Sequence, residues 1–341
     1  TTHTDFLMVE KKRGISVKGA SVQLDYEGMR LFLLDLPGHI DFISEVERGL
    51  QVLDVAILMV SAVDGVTPQT EFLFQALKKA RVQIILFVNK IDQIGSDYKR
   101  VASEIREKLS NNVVVFSEIS NENTRECKTR LKDCFQQSEK EYIWESIAAC
   151  RDEWMEKFFE GTTPECNELE SYIQETIRKQ EMFPILAGSA LMGKGVSDLL
   201  SFIQKYASAC EIEDTLSGIV YRITHDKLMG KIAYVRLYGG KLVNRVSIGE
   251  DKIVQIRQYN GDRFIDIGCM EAGDSAALCG LSNAYVGMPI GKLPAGFSNV
   301  KLAQPLLRSK VLLEKKEDIA LAMSVFQELT EEDPLLSMEY E

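Results

Sequence analysis

Apolar runs and polar breaks alternate regularly through the first two hundred residues. Short runs rich in β-branched or aromatic residues predict strands near 15–26, 30–35, 54–61, 83–89, 112–118 and 183–187. Between them, apolar positions three and four apart predict helices near 40–52, 68–80, 97–109, 138–159, 165–179 and 196–207. Strands and helices in alternation give an α/β fold, a mostly parallel sheet covered on both faces. The stretch from Glu118 to Gln180 is long and charged and holds both tryptophans, Trp144 and Trp154. It reads as a helical insertion, at about 118–180, packed on that domain.

Beyond the acidic linker Glu211–Thr215 the pattern changes to short alternating strands with glycine turns: Ile232–Tyr238, Gly239-Gly240, Lys252–Tyr259 and Asn260-Gly261. The Asn-Gly pair is a hairpin signal. Val235, Leu237, Val254 and Ile256 are expected to face inward, giving a small β-barrel over 214–297. After Pro305, a strand-like Leu306–Leu313 leads to a helix-like Glu317–Leu329.

Three loops carry candidate chemistry, each at the end of an apolar run. Leu31–Leu34 feeds Asp35-Leu36-Pro37-Gly38-His39. A carboxylate at the carboxyl end of such a strand lies where open α/β sheets place their ligands. Asp35 there could hold Mg²⁺ through water, and Gly38 would let its backbone N–H approach a γ-phosphate. The same tetrapeptide is also ordinary turn chemistry. Val82–Val88 feeds Asn89-Lys90-Ile91-Asp92. Asp92 can accept from the N1–H and N2–H₂ edge of guanine, an edge adenine lacks. Asn89 can bridge loop and base, and the Lys90 stem can cover the base plane. The plain alternative is a polar loop with a capping Asp. Phe183–Ala187 feeds Gly188-Ser189-Ala190, whose small residues would let the Ala190 N–H reach the base carbonyl O6.

Two further segments compete for a phosphate. Gly188–Lys194 matches the start of a phosphate-loop pattern, but Gly195 stands where Ser or Thr should bind Mg²⁺, and the match falls late in the domain. It is rejected. Upstream, Arg13-Gly14-Ile15-Ser16 offers a hydroxyl at Ser16 that could ligate Mg²⁺ directly in a mobile switch segment. A surface loop entering a strand explains those four residues equally well.

In this order, Lys12–Ser16, Asp35–Ile43, Val60–Val66 and Phe87–Gln93 resemble the translational GTPases of the elongation factor G type. Within them the match is closest to the ribosomal-protection tetracycline-resistance proteins. The resemblance implies a P-loop-NTPase-like GTPase domain at 1–208, then the β-barrel, then the start of an α+β domain at 303–341. It implies GTP or GDP with Mg²⁺ as ligands, the ribosome (its RNA and proteins) as partner, and the cytoplasm as location. It also implies that His39 orients the attacking water, a task of positioning and charge stabilisation. The family usually has Thr where Ser16 and Leu36 stand; Ser16 keeps the hydroxyl. The family opens with a strand and a Gly-rich phosphate loop, whereas this sequence starts at the first switch. The sheet is therefore expected to lack a central strand and nucleotide binding to be weakened, the whole protein remaining a GTP hydrolase. An elongation factor G-like translocase and a ribosome-binding module without hydrolysis are the alternative readings.

Composition narrows the field. Of 341 residues, 45% are hydrophobic and 27% charged, as in a globular protein with ample core. No apolar run is long enough to span a membrane, and no membrane partner is expected. The seven cysteines lack the spacing of a zinc site or redox pair, which suits free thiols in a reducing cytoplasm. A net charge of −11 argues against indiscriminate nucleic-acid binding. Between Gly218 and Arg263, however, nine Lys or Arg face four acids, a segment that could meet ribosomal RNA or simply be solvated. No heptads signal oligomerisation.

Overall fold

The computed structural model describes residues 10, 16–226, 228–260, 263–293, 309–313 and 319–339. The chain divides into two compact units, residues 1–52 with 210–341, and residues 53–209.

In the first unit, β1 (Ala20–Tyr26) and β2 (Met29–Asp35) form a hairpin in register from Ala20↔Asp35 to Tyr26↔Met29. The intervening Glu27 and Gly28 both have positive φ, 45° and 83°, the twist of a tight two-residue turn. So short a link can join only antiparallel neighbours. The expectation that these strands belong to the mostly parallel sheet is thereby corrected, because they make a two-stranded ladder of their own. A 3₁₀ turn, Ile40–Phe42, and α1 (Ile43–Leu50) follow.

The second unit holds the parallel sheet. β3 (Val55–Ser61), β4 (Gln83–Asn89), β8 (Phe183–Ala187) and β5 (Val113–Val115) lie side by side in that order, all parallel. β4 is buried from Gln83 to Val88, as a strand covered on both faces must be. α2 (Pro68–Ala80) starts at a reciprocal cap between Thr67 and Thr70, with proline in its first turn. α3 (Tyr98–Lys108) starts at Asp97, whose side chain accepts the Arg100 N–H. α7 (Val196–Tyr206) follows the loop after β8.

The insertion is not wholly helical. It opens with a hairpin, β6 (Ser117–Ser120) against β7 (Lys128–Leu131). The helix expected over 138–159 is two, α4 (Gln137–Ala148) and α5 (Asp152–Phe159). The break falls at Arg151, which is extended (φ −145°, ψ 135°). Its guanidinium reaches Glu181 at 2.7 Å and Glu175 at 3.1 Å and lies 4.2 Å over the Trp154 ring. α6 (Cys166–Arg178) supplies Tyr172, stacked on Trp154 with centroids 4.5 Å apart. The buried Trp144 indole donates to the Thr162 carbonyl at 3.0 Å, so these rings form a small core for the insertion.

The remainder of the first unit is β-rich. β9 (Ser217–Asp226), β10 (Gly230–Gly239), β14 (Gln255–Asn260), β15 (Arg263–Asp266), β17 (Ser275–Cys279) and β18 (Pro289–Gly291) form an antiparallel sheet in the order β15-β14-β17-β10-β9-β18. Two short ladders join β11 (Lys241–Val243) to β16 (Cys269–Glu271), and β12 (Ser247–Ile248) to β13 (Asp251–Lys252). Together they enclose one core containing Val235, Leu237, Leu242, Ile256 and Met270. Val254, expected inside, is 62% exposed, and Ile253 takes the interior. Residues 253 and 254 lie between β13 and β14, and where pairing is interrupted the alternation shifts by one. Gly261 and the 306–308 part of the expected strand lie outside the described residues, and 309–313 form no strand. α8 (Ile319–Glu332) occupies the expected helical stretch.

Candidate guanine-recognition loops and switch residues

Because β4 and β8 are parallel neighbours, paired from Leu86↔Ile185 to Val88↔Ala187, their following loops emerge at the same edge of the sheet. Backbone bonds then tie loop to loop. The Gly188 N–H donates to the Val88 carbonyl at 2.9 Å, and the Ile91 N–H to the Gly188 carbonyl at 3.3 Å. Asn89 completes the tie, its Oδ1 accepting the Lys90 N–H at 2.8 Å and the Ala190 N–H at 2.9 Å. Thus the N–H expected to reach guanine O6 is held by Asn89. Lys90 has φ of 68°, a left-handed conformation uncommon outside glycine, and an exposed side chain. Asp92 is half-buried, and its carboxylate has no hydrogen bond among the described residues. Ser189 is buried, exchanging N–H···O bonds of 3.0 Å each way with Lys194. Those two donors are consumed within the turn.

Gly188 and Gly195 make that turn possible. A Cβ at Gly188 would run into the Lys194 carbonyl, and one at Gly195 into the Ala187 carbonyl, with Gly195 at φ of 74°. No side chain fits at either place.

The residues expected to act as a switch belong to the first unit. Asp35 ends β2 with a half-buried carboxylate that has no hydrogen bond among the described residues. Gly38 is exposed, and His39 is half exposed, with its Nδ1 3.3 Å from the Asp41 N–H and 3.4 Å from the Asp41 carboxylate. Leu36, where the family usually has Thr, packs directly on α1: a Cβ on Gly49 would lie 2.6 Å from its Cδ1. Ser16 is half-buried, while Arg13, Gly14 and Ile15 lie outside the described residues. Among the described residues no three His, Cys, Asp or Glu cluster as a metal site. Mg²⁺ keeps most of its waters and needs few protein oxygens, so one hydroxyl and one carboxylate fit it.

The segments flanking these residues are tied down by charge. The Gly19 N–H donates to Glu45 at 3.2 Å, and Arg48 joins Glu45 at 2.6 Å to Asp333 at 3.1 Å. Just beyond α8, Asp333 also accepts the Ser44 hydroxyl at 3.2 Å. Lys18 pairs with Glu332 at 3.0 Å. The His225 ring lies between Glu331 at 2.9 Å and Glu332 at 3.4 Å, and Lys231 meets Glu331 at 3.0 Å. Burial by itself would raise both carboxyls, yet Lys231 and His225 hold Glu331, and Lys18 and His225 hold Glu332, below the ordinary value.

Part of the positive charge between Gly218 and Arg263 is engaged within the unit. Besides Lys231, Arg236 donates to the Val52 carbonyl at 2.8 Å, Lys241 pairs with Glu271 at 2.7 Å, and Arg257 lies 3.8 Å over Phe264. Arg222 is engaged with the Gly19 carbonyl. Arg245, Lys252 and Arg263 remain exposed. All seven cysteines are free thiols, and burial raises Cys134 and Cys150 to about 11. Among the described residues no helix is long and apolar enough to cross a membrane.

A parallel sheet with tied loops at its carboxyl edge is the setting in which α/β domains bind ligands. The model of the elongation factor Tu GTP-binding domain matches residues 1–209, and the chain belongs to that family. It is 32% identical over 346 residues to the tetracycline resistance protein TetP of Clostridium perfringens, covering 98% of this chain and 53% of that protein. It is 33% identical over 357 residues to the tetracycline resistance protein TetM from transposon Tn916 of Enterococcus faecalis, with the same two coverages. The chain thus spans about half the length of the curated relatives it matches. A crystal structure of a Thermus thermophilus protein superposes with a TM-score of 0.86 at 24% identity, over 99% of this chain and 56% of that one, a likeness of fold.

Proposed function

We propose that this chain carries the guanine-nucleotide machinery of a ribosome-dependent GTPase of the cytoplasm that protects the ribosome from tetracycline. In this reading residues 1–208 are the GTP-binding domain, 214–297 the barrel and 303–341 the start of a third domain. Asp92 selects guanine, the Lys90 stem covers the base, and Asn89, Ser189 and Ala190 shape the wall on which the base sits. Gly38 admits the γ-phosphate to its backbone N–H, Ser16 and Asp35 hold Mg²⁺, Asp35 through water, and His39 orients the attacking water. Mg²⁺, when bound, neutralises charge on the phosphates. Tetracycline enters through the relatives, whose names state tetracycline resistance, and the ribosome through the resemblance to translational GTPases.

One observation carries the nucleotide reading: the Asp92 carboxylate, without a hydrogen bond among the described residues, stands beside two loops tied together by Asn89. The test is competitive binding of GDP, ADP and xanthosine diphosphate. GDP is expected to compete far better than ADP. Asp92→Asn offers a donor where guanine needs an acceptor, so GDP affinity should fall roughly 100-fold or more, two charge-assisted bonds being lost. Xanthosine diphosphate, with a carbonyl in place of the amino group, should gain. Equal losses for all bases would sink the assignment. For the whole protein, phosphate release stimulated by ribosomes is the matching assay, and ribosome binding without turnover would leave only the binding-module reading.

A further inference from the structure

The loop after β3 is held as firmly as the two recognition loops, although it contains none of the residues assigned to the nucleotide. Ser61 Oγ accepts the N–H groups of Val63 at 3.3 Å and Asp64 at 3.2 Å, and the Gly65 N–H donates back to the Ser61 carbonyl at 2.9 Å. This tight turn is then gripped from α3. Arg100 Nη2 donates to the Val63 carbonyl at 2.8 Å and the Ala62 carbonyl at 3.3 Å, while Nη1 pairs with Glu104. Glu104 Oε2 accepts the Val66 N–H at 3.0 Å, and Lys108 lies 3.8 Å from the same oxygen. Gly65, at φ of 74°, is what lets the carboxylate in, because a Cβ there would run into Glu104 Oε2. The Val66 N–H, foremost, and then Arg100 against the opposing effect of burial, hold the Glu104 carboxyl below its ordinary value.

This grip reaches the recognition loop at two points. The Ala62 N–H donates to the Asn89 carbonyl at 2.8 Å. Asp64, at the tip of the turn, places its carboxylate 3.9 Å from the Lys90 ammonium, both side chains being largely in solvent. Lys90 is itself the left-handed residue of its loop. An exposed ion pair does little for folding. Its position suits a different task, fixing where a long, flexible cation lies.

We propose that Asp64, held in place by Arg100 and Glu104, is a positioning residue for Lys90 that sets how long a guanine nucleotide stays bound. The inference rests on the nucleotide reading above and deepens it. Arg100 forks across two carbonyls and a carboxylate, a geometry that lysine cannot reproduce. The brace therefore fixes the backbone of the turn that carries the Asp64 charge.

The test follows dissociation of a fluorescent GDP from wild type, Asp64→Asn, Arg100→Gln and the double variant. Asp64→Asn is expected to speed release roughly two- to fivefold, the scale of an exposed ion pair, with thermal stability unchanged. Arg100→Gln should speed it about tenfold, since charge-assisted bonds to the turn are lost. In the double variant the Asp64→Asn effect should largely disappear, because the two residues act through one path. In 1 M salt, where screening acts within roughly 3 Å, the wild-type advantage over Asp64→Asn should shrink, and Asp64→Glu should restore part of it at low salt. A purely structural role would show none of that salt dependence. Unchanged release in both single variants, or strict additivity, overturns the proposal. Amide hydrogen exchange at Asn89 to Ile91 gives a readout without nucleotide. If wild type binds no GDP, the nucleotide reading fails; faster exchange there in Arg100→Gln then still supports the brace, and unchanged exchange overturns it.

Discussion

The loops proposed to read the base and the segment proposed as a switch are built in opposite ways. The loops after β4 and β8 leave two neighbouring parallel strands and are cross-tied by three hydrogen bonds, one of them to the Asn89 side-chain oxygen, which also accepts the Lys90 N–H within its own loop. The segment after β2 leaves a two-stranded hairpin, and Asp35, Gly38 and His39 have half-buried or exposed positions with few partners. Preorganisation suits a group that must always read the same base edge. Loose ends suit groups that change partners with the state of a phosphate. What is firm around the switch lies beside it: α1 and residues 18–19, held to Glu332 and Asp333 through Lys18, Arg48 and Ser44.

The largest expected effect breaks the firm half. Gly195→Ala combines a left-handed backbone with overlap on the Ala187 carbonyl and should cost about 3 kcal/mol or more. Gly193→Ala is the control, since Gly193 is also left-handed, at φ of 67°, but faces open space. It should cost only about 1 kcal/mol. Urea midpoints of the two variants measure the difference, and equal losses would mean that close approach is not what shapes this turn.

Asn89→Ala comes next. It removes the acceptor for the Lys90 and Ala190 N–H groups, and because Ala190 is exposed, water replaces part of the loss. About 1–2 kcal/mol of stability should go. Exchange of the Ala190 amide should quicken while the amides within β8 stay protected; uniform quickening would show that the tie supports the sheet rather than the loop.

These two effects also divide what was legible in the sequence from what was not. β4 and β8 stand where their apolar runs predicted, over 83–89 and 183–187, because buried parallel strands have little freedom in composition. The Asn89–Ala190 tie could not be read, since it exists only if β4 and β8 are neighbours, and strand order is a property of the whole sheet. The Arg100–Glu104 grip was hidden for the same reason; the stretch Val60–Val66 stands out in the sequence only through family resemblance. Elements set by distant contacts were not legible. Arg151 stands extended at the start of the second helix, and the carboxylates that hold it, Glu175 and Glu181, come from a distant part of the chain, beyond the reach of helix periodicity. The β6–β7 hairpin has four-residue strands too short to show a period, and it is anchored by the Lys132 N–H on the Phe116 carbonyl at 2.7 Å.

A pH series tests the firm part of the switch neighbourhood. Glu331 and Glu332 are held below their ordinary 4.5, so the folded state binds protons less readily than the unfolded one at these groups. Their contribution is complete above 4.5 and is lost as pH falls through their lower folded values. The urea midpoint of the transition carrying α8 should therefore drop between pH 5 and acid pH by more than it does in Glu332→Gln. The same slope in both would show that the ion cluster at His225 does not hold the helix end.

The smallest stability effect is expected at His39, and it sharpens the contrast most. The ring is half exposed and lies beside its near neighbours Asp41 and Phe42, so His39→Ala should change stability by no more than about 0.5 kcal/mol. If His39 orients the attacking water, ribosome-stimulated phosphate release by the whole protein should nevertheless fall roughly 100-fold or more, with GDP affinity intact. Asn89→Ala should give the reverse, a loss of stability and of nucleotide affinity together. A His39→Ala protein that unfolds early would show that the switch is held by contacts the present geometry does not contain. One that turns over normally would leave His39 as a solvent-facing loop residue and move the search for the water-orienting group elsewhere.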